Sequence, residues 1–183
     1  FYVGLDKRLN NLQHHNLFFD ADFDQHAKEI YDNPKWPKNP LFYLSCPSIT
    51  DPSLAPKGNE NLMFLIPLAP GLEDTNEMRE KYFDIVLKRL KDLTGNDIEK
   101  NIIFKKSYCV NDFEKDYNSF KGNAYGLANT LRQTAVLKPR MRNKKIKNLY
   151  YTGQLTVPGP GVPPSIISGQ IAAIEIDKYL NKL

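Results

Sequence analysis

The stretch best suited to chemistry is Gly153-Gln154-Leu155-Thr156-Val157-Pro158-Gly159-Pro160-Gly161. Its glycines permit positive φ or close approach of a ligand to the backbone. Val162-Pro163-Pro164-Ser165 follows and opens a helix that continues to about Leu180. Proline suits a first helical turn, where its missing N–H has no intrahelical partner. Free N–H groups and the positive end of the helix dipole then face the loop, a setting for a polar or anionic group. Pro163 and Pro164 carry no N–H, so the donors must come from Gly161, Val162, Ser165 and Ile166. Ahead of the loop, Asn148–Thr152 is a short apolar run and reads as a buried strand. The helix is apolar at Ile166, Ile167, Ile171, Ala172, Ala173, Ile174 and Ile176, the pattern of a buried helix. Strand, loop and capped helix are, by themselves, ordinary α/β structure.

Other chemistry-bearing residues read as structural. His14 and His15 are adjacent but lack a second pair at metal-ligand spacing, and read as a hydrogen-bonded pair. Asp20, Asp22 and Asp24 imitate the opening of a calcium loop. The imitation fails at Gln25 and Tyr31, where glycine and glutamate are needed. These acids therefore read as a solvated turn leading to a helix near Asp24–Tyr31. Cys46 and Cys109 are isolated and read as reduced core thiols, with no metal site implied. Lys138–Lys147 holds six basic residues in ten and no acid. It reads as a solvated loop, a nucleic-acid contact or an attraction to anionic lipid, and lacks interleaved aromatics for base stacking. Gly122–Leu127, GNAYGL, flanks Tyr125 with glycines, as a tight turn or a cavity wall. No nucleophile–base pair is recognisable.

The elements that must position these groups follow from the pattern. With 183 residues, 41% of them hydrophobic and 25% charged, the chain can bury a sizeable core. The net charge of +4 carries no strong nucleic-acid signal. Phe1–Leu5 and the run ending at Phe19 read as strands. Leu41–Cys46 and Asn61–Pro67 read as strands that pair in one mixed or antiparallel sheet. Asn33–Pro40 holds three prolines and must be irregular, with Trp36 docking on the chain's own core. Asp74–Leu93 is the clearest helix, with Asp74 and Glu77 as a capping pair. Its apolar stripe is Met78, Tyr82, Ile85, Val86, Leu90 and Leu93, and Gly95 is its stop. Asn101–Val110 reads as a strand and Asp112–Tyr117 as a short helix. No run approaches the ~20 apolar residues of a membrane-spanning helix, and no signal peptide is recognisable. The chain lacks an initiator methionine and begins inside the apolar run FYVGL, which is expected of a piece of a longer protein.

TGQLTVPGPGVPPSIISGQIAA resembles the C-terminal flavin-binding signature of the bacterial-type carotenoid (phytoene) desaturases, within the amine-oxidase-like FAD superfamily. YVGLDKRLNNLQHHNLFF (2–19), SITDPSLAPKG (48–58), NLMFLIPLAPG (61–71) and GNAYGL (122–127) agree with that family, in its order and over nearly the whole chain. The resemblance implies an α/β (α+β) fold from a two-domain flavoprotein. Residues 1–130 would belong to the substrate domain, a sheet with helices that lines an apolar tunnel for a polyene. Residues 131–183 would return to complete the FAD domain through its C-terminal strand, loop and helix. It implies FAD as cofactor, with Gly153 and Gln154 against its ribityl–phosphate portion, Gly161, Val162 and Ser165 near the isoalloxazine, and Pro163 among the cofactor-binding residues. Tyr125 would be a substrate-cavity residue.

The implied activity is FAD-dependent desaturation of phytoene or a related carotenoid. A 3,4-desaturase, a ketolase, an isomerase, or a non-enzymatic basic module for membranes or nucleic acid are the alternatives. Flavin chemistry leaves binding, orientation and electrostatics to the protein. Two departures from the family pattern stand out. Leu137-Lys138-Pro139 replaces a Phe-Arg-Pro, and Val157 precedes Pro158-Gly159 where many relatives carry histidine. No G-x-G-x-x-G for the ADP portion occurs, so an upstream half of the same protein is the expected partner. The expected location is cytoplasmic and peripheral to the membrane, with no nucleic-acid partner.

Overall fold

The computed structural model describes residues 1–128 and 130–181. Asn129, beside the 130/131 boundary, and the last two positions of the 131–183 segment lie outside the described residues. The chain divides into two compact units, Phe1–Gly122 and Asn123–Leu183.

The first unit is α+β. Strands β1 (Tyr2–Leu5), β2 (His15–Phe18), β3 (Phe42–Ser45), β4 (Glu60–Leu65) and β5 (Ile102–Lys106) form one sheet in the order β2-β3-β4-β1-β5. Every pairing is antiparallel. The registers Val3↔Leu62, Leu44↔Phe64 and Phe18↔Phe42 put these side chains on one face, since side chains alternate along a strand. That face is buried, and Phe83, Val86 and Leu90 of helix α2 (Asn76–Thr94) complete its core.

Helix α2 starts two residues later than the Asp74 expectation. Thr75 is the cap, its Oγ1 accepting the Met78 N–H at 3.2 Å. Asp74 instead takes the Arg79 guanidinium in two bonds of 2.6 Å, a stronger use of a buried carboxylate. Gly95 ends the helix at φ 78° as expected. Leu93 is exposed and Phe83 takes its place in the stripe. Helix α1 (Phe23–Tyr31) is capped by Asp22, whose carboxylate accepts the Gln25 N–H, while Asp20 pairs with Arg89. Helix α3 (Val110–Tyr117) begins earlier than expected and β5 ends at Lys106, because the Asp112 carboxylate takes the Cys109 N–H at 2.9 Å.

Polar groups inside this unit are bonded. His26 accepts the Leu41 N–H at Nδ1 (3.0 Å), so Nε2–H donates to the Pro67 carbonyl (2.9 Å). Buried Glu60 accepts from Arg8, Ser48 and the Leu9 N–H. His14 and His15 stack at 4.1 Å and bond Thr50 and Tyr43. Trp36 packs on Tyr82 at 4.6 Å and donates to the Glu73 carbonyl at 2.8 Å.

The second unit carries helix α4 (Val162–Leu180) and turns without a sheet among its described residues. Asn148–Thr152 is not a buried strand. Only the bridge Arg142↔Tyr150 forms, and Leu149 and Tyr151 are exposed, because the run folds back on the basic segment before it. Nor is α4 a buried helix here. Ser168 and Ala172 are covered, whereas Ile166, Ile167, Ile174 and Ile176 face solvent, since no element of this unit packs over them. Among the described residues, no helix is long and apolar enough to cross a membrane.

Candidate functional site

Site geometry begins at Gly161, which stands at φ 108°, a region L side chains rarely adopt, and opens α4 without a side-chain cap. The Ser165 N–H is spent on the Gly161 carbonyl at 3.0 Å. Ile166 lies deeper in the helical ladder, so the four expected donors reduce to the Gly161 and Val162 N–H groups. Neither has a hydrogen bond among the described residues. Pro163 is exposed in the first turn.

Gly153 sits at φ 102° and its N–H donates to Ser168 Oγ at 2.7 Å. Ser168, fully buried, donates in turn to the Ser165 carbonyl at 2.6 Å. Buried Thr156 closes the same turn, its hydroxyl donating to the Gly153 carbonyl at 2.9 Å. The loop is thereby bolted to the first turns of α4. The sequence reading missed Ser168 and Thr156. The available signal was a serine three residues after Ser165 in an otherwise apolar helix.

Tyr125 lies in a tight turn in which the Asn123 carboxamide oxygen accepts the Gly126 N–H at 2.6 Å. A Cβ at Gly126 (φ 76°) would meet Leu155 Cδ2 at 2.5 Å, so a side chain there would strain the turn and push the Leu155 side chain aside. The result is a cavity of about 500 Å³ lined by Ala124, Tyr125, Gln154, Gly161, Val162, Ser165 and Ile166. Five of the sequence-named positions meet there: Tyr125, Gln154, Gly161, Val162 and Ser165. Gly153 and Pro163 are not in its wall. Among the described residues the lining contains no carboxylate, imidazole or thiol, and the Tyr125 phenol is the one titratable side chain in it.

Lys138 is not part of a solvated loop. It is buried, and a Cβ at Gly159 would lie 3.3 Å from its Cε, so the lysine stem runs against the glycine loop. In the first unit, the sheet face opposite the core carries exposed Tyr2, Phe104, Leu65 and Leu17. Gly4 pairs with Phe104, and a Cβ there would meet Phe104 Cβ at 3.3 Å. A groove of about 220 Å³ is lined by Tyr2, Gly4 and Phe104 but not by Leu65 or Leu17.

No family model matches the chain. Individual proteins do. Over 172 residues the chain is 45% identical to a carotenoid 3,4-desaturase of Haloarcula japonica, covering 94% of this chain and 35% of that protein. It is 34% identical to a 4,4'-diapophytoene desaturase (4,4'-diaponeurosporene-forming) of Staphylococcus haemolyticus, covering 94% and 36%. A zeta-carotene-forming phytoene desaturase of Myxococcus xanthus is 30% identical, with coverage of 93% and 33%. The chain spans about a third of the length of these curated relatives. Over nearly its whole length the chain is similar in sequence to carotenoid desaturases, as the resemblance in its motifs implies.

Proposed function

We propose that this chain is the C-terminal part of an FAD-dependent carotenoid desaturase acting on phytoene or a related polyene. The observation that carries the reading is the meeting of Gln154, Gly161, Val162 and Ser165 in one cavity with Tyr125. The residues there fit a flavin. Gly161 and Val162 offer N–H groups at a helix N-terminus, which favours negative charge on a ligand. Gln154 offers an amide, and Ala124, Val162 and Ile166 offer apolar surface for a ring. Bound FAD would supply the two-electron acceptor for removing two hydrogens from a carbon–carbon bond. The chain's own part is positional. Ser168 and Thr156 fix the loop, Lys138 supports it behind Gly159, and the N–H pair orients the ligand.

In this reading residues 1–130 contribute to the polyene-binding domain, where exposed Tyr2, Leu65 and Phe104 supply apolar surface. Residues 131–183 complete the FAD domain, and the upstream half of the protein holds the ADP portion and covers the isoleucines of α4. The test is a visible absorption spectrum of the full-length protein, followed by incubation with phytoene in liposomes. Flavin bands and a product with lengthened conjugation are expected. A colourless folded protein that takes up no FAD refutes the cofactor. A flavoprotein that desaturates neither phytoene nor a preformed polyene refutes the activity. The identity to a 3,4-desaturase makes 3,4-desaturation of a preformed polyene the second assay.

A further inference from the structure

The basic run folds into a small hairpin. Arg142 and Tyr150 bridge, the Asn143 N–H donates to the Leu149 carbonyl at 2.9 Å, and the Tyr151 N–H donates to the Met141 carbonyl at 2.7 Å. The tip is shaped by Asn143, whose carboxamide oxygen accepts the Lys145 and Ile146 N–H groups at 2.8 and 2.9 Å. A turn from Ile146 to Leu149 closes it at 3.2 Å.

The six basic side chains divide by role. Lys138 is buried. Arg142 is structural: Nε donates to the Lys147 carbonyl at 2.8 Å, and its guanidinium lies 4.1 Å from the Tyr179 ring centroid of α4. Arg140, Lys144, Lys145 and Lys147 are exposed, with no ion pair among the described residues. No Asp or Glu occurs between Asn118 and Ile174, so nothing in that sequence neutralises them. Ile146, flanked by the lysines, is 53% exposed.

We propose that this hairpin is a docking tip for an anionic lipid surface. Lys144, Lys145 and Lys147 meet headgroup charge, and Ile146 enters the boundary beneath them. A rigid tip presents the charges without ordering a loop at the moment of contact. A bilayer fits better than a nucleic acid because the tip pairs its cations with an aliphatic side chain. Its aromatic neighbours are engaged, Tyr150 and Tyr179 under Arg142 and Tyr151 with Asn143. The inference stands apart from the flavin reading, as no tip residue lines the cavity.

The experiment is co-sedimentation of the full-length protein with phosphatidylcholine vesicles, with and without phosphatidylglycerol. Binding should require phosphatidylglycerol and fall as salt is raised. Each lysine is worth about fivefold in partitioning, so Lys144→Gln, Lys145→Gln and Lys147→Gln together should cost ~100-fold. Ile146→Asn should weaken binding several-fold, and both variants should keep the wild-type circular dichroism and flavin content. Salt-insensitive binding, or a triple variant that sediments like wild type, overturns the proposal. So does an oligonucleotide that binds through the lysines while Ile146→Asn is neutral to vesicles. The salt titration needs no variant and decides the matter even if the triple variant folds poorly.

Discussion

Ser168 Oγ accepts the Gly153 N–H at 2.7 Å, across fifteen residues of chain, and so couples the entrance of the glycine loop to the body of α4. Its own proton goes to the Ser165 carbonyl. A single buried hydroxyl therefore sets where the loop lies relative to the two free N–H groups of the helix. Ser168→Ala leaves the Gly153 N–H without that acceptor, which costs about 1–3 kcal/mol for a part-buried donor. Thermal denaturation should show the loss. On the proposed flavin reading, the FAD-to-protein ratio of the full-length protein should fall as well. If both quantities match wild type, the coupling is unimportant.

Glycine substitutions should separate backbone strain from collision. A Cβ at Gly122 (φ 64°) would lie 2.3 Å from the Val110 carbonyl oxygen, which is backbone and cannot move aside. Gly122→Ala should therefore lose ~3 kcal/mol or more and deplete soluble protein. At Gly153 (φ 102°) a Cβ meets nothing within 4 Å. Gly153→Ala should cost only about 1–2 kcal/mol of strain, with a loss of flavin content out of proportion to that cost. Equal melting temperatures for the two variants would contradict this ranking.

Acid stability should depend on Asp74. Burial alone would raise its carboxyl pKa, but the Arg79 guanidinium and the Asn111 N–H outweigh burial and hold it below the ordinary value of 3.8. A folded-state pKa below the unfolded one contributes stability that is present in full above pH 3.8. That contribution is lost as pH falls through the lowered value. Asp74→Asn should flatten the acid limb of the stability curve. It should also cost about 3 kcal/mol at neutral pH, through the broken pair with Arg79. Urea titrations across acid pH would measure both effects, and an unchanged acid limb would count against the pair.

Cys46 should be chemically silent in the native state. Burial first, and the Glu60 carboxylate second, push its thiol up to about 12, and it is fully covered. Cys109, half-buried and also raised by burial, should react first with iodoacetamide, and Cys46 only after unfolding. Mass spectrometry of timed alkylation gives the order, and early modification of Cys46 would mean the core opens locally.

The sequence made the strands and main helices legible because alternation and the α2 stripe are local patterns that burial enforces. Leu44 and Phe64 had to face the same way wherever the sheet lay. The α2 cap was misplaced because Asp74 and Thr75 are both good caps. Only the fold reveals that Arg79 claims Asp74. At the site, Gly161 and Ser165 were legible from glycine and proline placement. Ser168 was not, because its bonds run to a loop fifteen residues away. Asn148–Thr152 misled because an apolar run is read as a strand, while a strand also needs a neighbour to pair with.

Helix α4 is turned inside out relative to an ordinary surface helix, with a serine covered and isoleucines in solvent. Its mutational tolerance map should therefore change phase with context. In this chain alone, polar replacements at Ile167 or Ile174 should be harmless while replacements at Ser168 are not. In the full-length protein the isoleucine positions should become intolerant too. Positions that switch would trace the footprint of whatever covers the helix, and positions harmful in both backgrounds would mark local folding.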